Sequence, residues 1–175
     1  ENFSVYKVYS THQAAHLEFG SFLFRFARGN VLFDATRHAR ETERLASGAQ
    51  QARELGYVTD MQRFFDLFDE RQLASDLFAV VEDTRIDTLV RREYGGIRRA
   101  WSRTQENELE KRQLPNEMPL RKALVENLIR ASLDGAHTMI WPSSFRGVLQ
   151  RSIEALFRIK EPGATIEDAA EATLA

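Results

Sequence analysis

The chain has 175 residues and a formal net charge of −2, with 29% of its residues charged. This length is typical of one domain that buries a hydrophobic core. The nearly balanced charge argues against an overall electrostatic field that would attract nucleic acid or a membrane surface. The absence of cysteine excludes disulfides, thiolate catalysis and cysteine-ligated zinc, and it fits a reducing cytoplasm.

Targeting signals are not evident. No apolar run approaches the roughly 20 residues that a transmembrane helix requires. The first residues are polar, unlike those of a signal peptide, and the chain does not begin with Met. We therefore expect a cytoplasmic fragment of a larger protein. It should form a single helical domain over 1–175, with its core at about 3–135 and C-terminal helices at 143–175.

Helical periodicity dominates the N-terminal part of the chain. Residues 3–19 carry apolar and imidazole side chains along one side, and Gly20 can end this helix. The aromatic stretch 21–26 is short and roughly alternating, so it is either a strand or an extended loop. Residues 35–55 are predicted to form a charged helix with an interruption near Gly48.

The remaining elements are also predicted to be helical. Thr59 is a good N-cap for an apolar helix at 61–68, and 73–94 is the longest predicted helix. The later helices are expected at 97–112, at 120–133, at 145–159 with Ser143 or Ser144 as cap, and as a weak tail at 167–173 capped by Thr165. These elements predict an irregular all-α domain of about six or seven helices with at most one short strand. Its core should centre on 5–19, 61–68 and 73–94.

The strongest chemical signal is the pair His12 and His16, with Gln13 between them. A His-Glu-x-x-His helix places two imidazoles on one face, where both reach one zinc ion, and its Glu activates the bound water. Gln13 stands at the position of that general base, and a carboxamide binds water but cannot take its proton. The motif fits a metal site without peptidase chemistry, the relic of one, or an enzyme silenced by replacement of Glu.

A later segment offers a third ligand. Glu82 lies at the end of an apolar run, where an unpaired carboxylate is costly to bury, and a glutamate at such a position completes many zinc sites. Asp83 and Asp87 are candidates for outer partners that orient the ligands. Two histidines four residues apart also occur by chance on amphipathic helices. In that alternative, Glu82 or Asp83 pairs with Arg85 or Arg91 on its own helix.

Other motifs carry less information. His38 and His137 are single and lie on polar segments, so we expect both on the surface. Five arginines form a basic stripe, but neighbouring glutamates balance it and no aromatic stacking pattern accompanies it. The stripe comprises Arg91, Arg92, Arg98, Arg99 and Arg103. We therefore predict no nucleic-acid partner, and no membrane partner.

Five segments, taken together and in order, carry a family resemblance. They are His12-Gln13-Ala14-Ala15-His16-Leu17-Glu18-Phe19-Gly20-Ser21-Phe22, Phe64-Phe65-Asp66-Leu67-Phe68, Asp76-Leu77-Phe78-Ala79-Val80-Val81-Glu82-Asp83-Thr84-Arg85-Ile86-Asp87, Arg92-Glu93-Tyr94 and Pro119-Leu120-Arg121-Lys122-Ala123-Leu124-Val125-Glu126. These motifs resemble the helical region of the NorD-type proteins, which are nitric-oxide-reductase activation proteins and relatives such as the CbbO-type rubisco activase subunit. The resemblance covers roughly residues 5 to 135.

This resemblance implies a domain upstream of a von Willebrand A domain that works with a MoxR-type AAA+ ATPase on a client enzyme or its metal cofactor. In the family, the A domain binds Mg²⁺ through an Asp-x-Ser-x-Ser loop, and this chain has no such sequence. The stretch from Glu82 to Arg85 also resembles metallopeptidase-like regions found ahead of other A domains. That similarity links Glu82 to His12 and His16.

Two functional hypotheses follow. The first is a non-enzymatic adaptor or chaperone-type domain, with the zincin-like helix pair kept as scaffold or structural metal site. The second is a zinc hydrolase whose general base is replaced by Gln13. If zinc binds, His12, His16 and Glu82 should be its ligands and water should occupy the fourth position. Glu82 should lie near one of the imidazoles with or without metal.

Overall fold

A computed structural model describes residues 2–49, 58–133 and 136–175, and within these ranges the chain is all-α. Loops and short 3-10 turns connect eight α-helices, close to the predicted six or seven, and these ranges contain no strand. The helices are α1 Asn2–Glu18, α2 Arg37–Ala46, α3 Asp60–Phe65, α4 Arg71–Glu93, α5 Arg98–Lys111, α6 Leu120–Ser132, α7 Arg146–Arg158 and α8 Ile166–Leu174. The all-α prediction is therefore confirmed.

None of the helices in the described ranges combines the length and the apolar character that crossing a membrane would require.

Local sequence signals explain two of the helix starts. Thr59 and Thr165 each form a capping box with the residue three positions later, which fixes the starts of α3 and α8. The predicted serine cap of α7 is not formed, because Ser143 and Ser144 both lie in a 3-10 turn that precedes that helix. The stretch 21–26 is a loop rather than a strand. The predicted continuation of α2 toward residue 55, and the predicted helix end at 134–135, lie largely outside the described residues.

α4 is the central helix of the domain. Its residues Val80 and Val81 pack with apolar residues of α6, α7 and α8, and its residues Ile86 and Val90 pack with α1 and α5. A third cluster joins α3 and α8 to the aromatic loop that follows α1. The core thus contains the three expected helices, but it also includes the C-terminal helices α7 and α8.

The C-terminal helix α8 is not a weak tail. Glu167, Asp168 and Glu171 are at most 2% exposed, although three acidic residues in a short helix normally indicate a solvated face. Their carboxylates accept hydrogen bonds from backbone N–H groups of the loop 25–36, and Glu171 forms an ion pair with Arg37, the first residue of α2, at 2.9 Å. Burial is tolerated here because each carboxylate has donors.

Candidate metal centre

The packing of α1 against α4 brings the candidate site together. The contact is built from small and branched apolar side chains, namely Val8 and Ala15 of α1 with Ile86 and Val90 of α4. On α1 the spacing of four residues places His12 and His16 on the side that faces α4. Asp83 and Asp87 have the same spacing on α4, so two imidazoles face two carboxylates across the helix contact.

Three ligand atoms converge at this contact. His12 Nε2 and His16 Nε2 lie 3.1 Å apart, and Asp83 Oδ1 lies 3.7 Å from the first and 3.4 Å from the second. Bond lengths of about 2.0–2.1 Å at tetrahedral angles would place zinc ligands about 3.4 Å from one another. The triangle therefore has the dimensions of three corners of a tetrahedral metal site. The side chain of Asp83 is 54% exposed, so the triangle reaches the surface.

The outer nitrogen of His12 is held by Asp87. His12 Nδ1 lies 2.9 Å from Asp87 Oδ1, and Gln105 of α5 donates to the other oxygen of Asp87 at 2.7 Å. A carboxylate on Nδ1 fixes the tautomer that leaves Nε2 free to bind a metal, and it raises the basicity of that nitrogen. Through Gln105 and Asp87, α5 therefore helps to orient the His12 imidazole of α1.

The outer nitrogen of His16 is held by a second chain of contacts. His16 Nδ1 lies 2.9 Å from Ser21 Oγ, and this hydroxyl donates to Glu82 Oε1. Arg85 completes the chain by donating to both oxygens of Glu82, with Nε at 2.8 Å from Oε2. Both imidazoles therefore have their Nδ1 atoms engaged and their Nε2 atoms directed at the same point.

The turn after α1 explains why Ser21 is available. Gly20 adopts a left-handed conformation with φ +76°, and the Ser21 N–H donates to His16 O at 2.9 Å. These features define a Schellman C-cap, which returns the residue after the glycine to the last helical turn. The Ser21 side chain is consequently placed beside His16.

Glu82 and Asp83 occupy different places relative to the triangle. Glu82 is buried, with both oxygens bound to Arg85, and it reaches His16 only through Ser21. This pairing with Arg85 is the structural alternative that the sequence left open. Asp83, which was expected as an outer partner, instead contributes the oxygen of the converging group. Gln13 is exposed on α1.

The two imidazoles differ in protonation. Burial opposes the charged form of His12, but the carboxylates of Asp83 and Asp87 outweigh it and raise its pKa to about 9. Burial lowers the pKa of His16, and the neighbouring positive charge of His12 lowers it further. In the metal-free protein at neutral pH, a His12 cation therefore lies beside a neutral His16.

Two residues that help to orient the imidazoles were not predicted from the sequence. Ser21 and Gln105 orient the imidazoles from outside the triangle, and the signal for Ser21 was Gly20, which follows α1 four residues after His16. The matched four-residue spacings of His12/His16 and Asp83/Asp87 could also have indicated a direct pairing. His38 and His137 are both exposed, in agreement with the sequence prediction.

The fold and the site together define an all-α domain with a His₂Asp cluster of metal-binding dimensions. Comparison with known proteins adds no relative, since no family model, curated protein or solved structure matches this chain. The resemblance to NorD-type proteins therefore stays a prediction from sequence motifs.

Proposed function

We propose that this chain is a non-enzymatic adaptor domain that holds one zinc ion between α1 and α4, with His12, His16 and Asp83 as ligands. The observation that carries the proposal is the convergence of two Nε2 atoms and one carboxylate oxygen within bonding reach of one ion. The outer nitrogens of both imidazoles are also held, His12 Nδ1 by Asp87 and His16 Nδ1 by Ser21, as is usual for histidines that bind metal.

The donor set favours zinc over the hard cations. Two neutral imidazoles and one carboxylate suit zinc and similar transition metals, whereas magnesium and calcium prefer all-oxygen sites. Three protein ligands leave one tetrahedral position for water or an added ligand. When bound, the ion would crosslink two helices, and it would therefore stabilise the α1–α4 contact.

Asp83 is the better third ligand of the two neighbouring acids. Its Oδ1 lies within 3.7 Å of both Nε2 atoms, and its side chain is partly exposed and free to adjust. Glu82 would have to leave the buried guanidinium of Arg85, which would remain without its partner. The proposal therefore places Glu82 behind His16, as a group that orients the imidazole through Ser21.

The replacement of the expected general base by Gln13 favours a structural role for the ion. Gln13 is exposed and cannot accept a proton, and Asp87 is already engaged by His12 and Gln105. Loss of a general base typically lowers a rate by about 10² to 10⁴, so hydrolysis at this ion should be negligible. The hydrolase alternative depends on a base at position 13, and restoring one tests it directly.

The adaptor part of the proposal rests on the resemblance to the NorD-type helical region. It assigns two partners in the cytoplasm, a MoxR-type AAA+ ATPase and a client enzyme that the pair activates or loads with metal. The test is a titration of this chain into a MoxR-type ATPase, with binding followed by calorimetry in zinc and in chelator. Absence of binding in both conditions would remove the adaptor assignment without affecting the metal site.

The metal part is tested by zinc stoichiometry and affinity in ligand variants. We expect about one zinc ion per chain, and Asp83→Asn should weaken binding by more than the roughly 10–100-fold typical of outer partners. Glu82→Gln should weaken it less than Asp83→Asn does. Asp76→Asn, two turns earlier on α4 and exposed, is the matched control and should bind normally.

A wild-type chain that takes up no zinc would overturn the metal site. The reverse order of effects, with Glu82→Gln more damaging than Asp83→Asn in variants that melt like the wild type, would restore Glu82 as the ligand.

A further inference from the structure

A cleft adjoins the candidate metal centre. It has a volume of about 460 Å³ and lies between α1, α4, α5 and α6. Most of its wall is apolar, formed by Val8, Val80, Trp101, Val125, Ile129 and Leu133. A concave apolar surface with a few converging polar groups is the usual form of a binding site for a small group or side chain.

The metal triangle forms part of the wall of this cleft. His12 and Asp83 both line it, as does Asp87 behind His12. The ring of Trp101 lies 6.0 Å from the ring of His12, so the apolar wall of the cleft lies directly beside one of the proposed metal ligands. A ligand bound to an ion in the triangle would therefore have the apolar wall of the cleft beside it.

The charges around the cleft restrict the ligand. Asp76, Asp87 and Glu108 line it in addition to Asp83. Apart from His12, the lining contains one basic side chain, Arg112, and that guanidinium is paired with Glu126 at 2.8 Å. These carboxylates disfavour an anionic ligand, even though an ion in the triangle offsets part of their charge. A neutral or cationic ligand is favoured.

We infer that the open position of the ion accepts a neutral nitrogen donor that carries an apolar group, and that its source is a histidine next to a leucine or phenylalanine in a partner peptide. The imidazole would complete a four-coordinate site, and the neighbouring apolar side chain would enter the cleft. This inference rests on the proposed metal site. It makes the ion a docking point shared between this domain and its partner.

The test uses the full chain loaded with Co²⁺, whose visible absorption reports changes in coordination. Imidazole, 4-phenylimidazole, acetate and phenylacetate are titrated separately at constant pH. We expect 4-phenylimidazole to bind at least about tenfold more tightly than imidazole, because its phenyl ring moves from water into the apolar cleft. Both carboxylates should bind more weakly than the corresponding imidazoles.

A cleft-filling variant locates the phenyl group. Ala79 is exposed and lines the cleft, so Ala79→Trp should fold normally and should remove the advantage of 4-phenylimidazole over imidazole. Ser102→Trp, on an exposed position of α5 outside this cleft, is the matched control and should keep the advantage.

The outcomes separate the two proposals. If cobalt produces no coordination band, the metal site fails and this inference fails with it. If cobalt binds but the two imidazoles have equal affinity, or phenylacetate binds more tightly than 4-phenylimidazole, the metal site stands and the inference about its ligand is overturned.

Discussion

The Nε2 atoms of His12 and His16 lie 3.1 Å apart, a distance at which two imidazoles need either a proton or a metal ion between them. Their outer nitrogens are fixed by Asp87 and by Ser21, so neither ring can turn away without losing a hydrogen bond. The metal-free protein places the proton on His12, and zinc would have to displace it.

Zinc affinity should therefore depend on pH. Because the pKa of His12 is raised to about 9, a proton competes with zinc throughout the neutral range. We expect the apparent affinity to increase about tenfold per pH unit between pH 7 and 9 and to level off above that. Calorimetry in buffers of different ionisation enthalpy should show release of about one proton per zinc at pH 7.5. Binding without proton release would contradict this prediction.

The hydroxyl of Ser21 should contribute to metal affinity without touching the ion. Ser21→Ala removes the link between His16 and the Glu82–Arg85 pair, so the imidazole loses its fixed orientation. We expect zinc affinity to fall by roughly 10–100-fold, as is typical for loss of an outer partner. Ser10→Ala, at an exposed position of α1, is the control in the same competition assay with a chromogenic chelator. Equal affinities for the two variants would argue against this role.

Gln13→Glu tests the hydrolase alternative. The exposed position on α1 should accept glutamate without loss of stability. Since we propose a structural ion, the variant should remain inactive toward peptide and ester substrates in the presence of zinc. Fluorogenic peptide libraries provide the measurement, and the double variant with His12→Ala is the background control. Appearance of zinc-dependent hydrolysis would instead identify a silenced enzyme.

Glu171→Gln should be strongly destabilising. The ion pair with Arg37 is buried, with side chains 2% and 1% exposed, and the loop before α2 also donates to this carboxylate. Removing the charge of Glu171 leaves the buried Arg37 guanidinium with carbonyl acceptors, those of Phe26 and Arg28, but without its carboxylate, which costs about 3–5 kcal/mol of unfolding free energy. Urea denaturation measures the effect, with Glu43→Gln on the exposed side of α2 as control. A loss below about 1 kcal/mol would show that the pair is not needed.

Acid should lower the free energy of unfolding by protonating Asp168, which links α8 to the loop before α2. Burial raises the pKa of this carboxyl, but hydrogen bonds from the backbone of Leu32, Thr165 and Val31 and from the Thr165 hydroxyl outweigh it, so the pKa is lowered. A lowered folded-state pKa gives stability that is complete above the unfolded value of 3.8 and is lost as pH falls below it. Asp168→Asn should reduce the loss of stability at acid pH, measured as unfolding free energy against pH. The control Asp34→Asn, at an exposed position, should leave that loss unchanged.

The sequence determined the helical character of the chain because helix formation is local. Apolar periodicity predicted most helices, and the threonine caps of α3 and α8 could be read directly from their own segments. The same local geometry placed His12 and His16 on one face of α1, since a spacing of four residues is a property of the helix itself.

Tertiary structure decided the partners of those two imidazoles. Glu82 and Asp83 are adjacent in sequence but point about 100° apart around α4, so the rotation of α4 against α1 selects which of them meets the Nε2 atoms. That rotation is set by apolar contacts such as Ala15 with its neighbours on α4, which no local pattern specifies.

The role of α8 was likewise decided by long-range contacts. Its three acidic residues indicate a solvated helix when read alone, but donors from a loop more than 100 positions earlier allow them to be buried. Whether a carboxylate lies in water or in the core depends on the donors around it, and those donors come together only when the chain is folded.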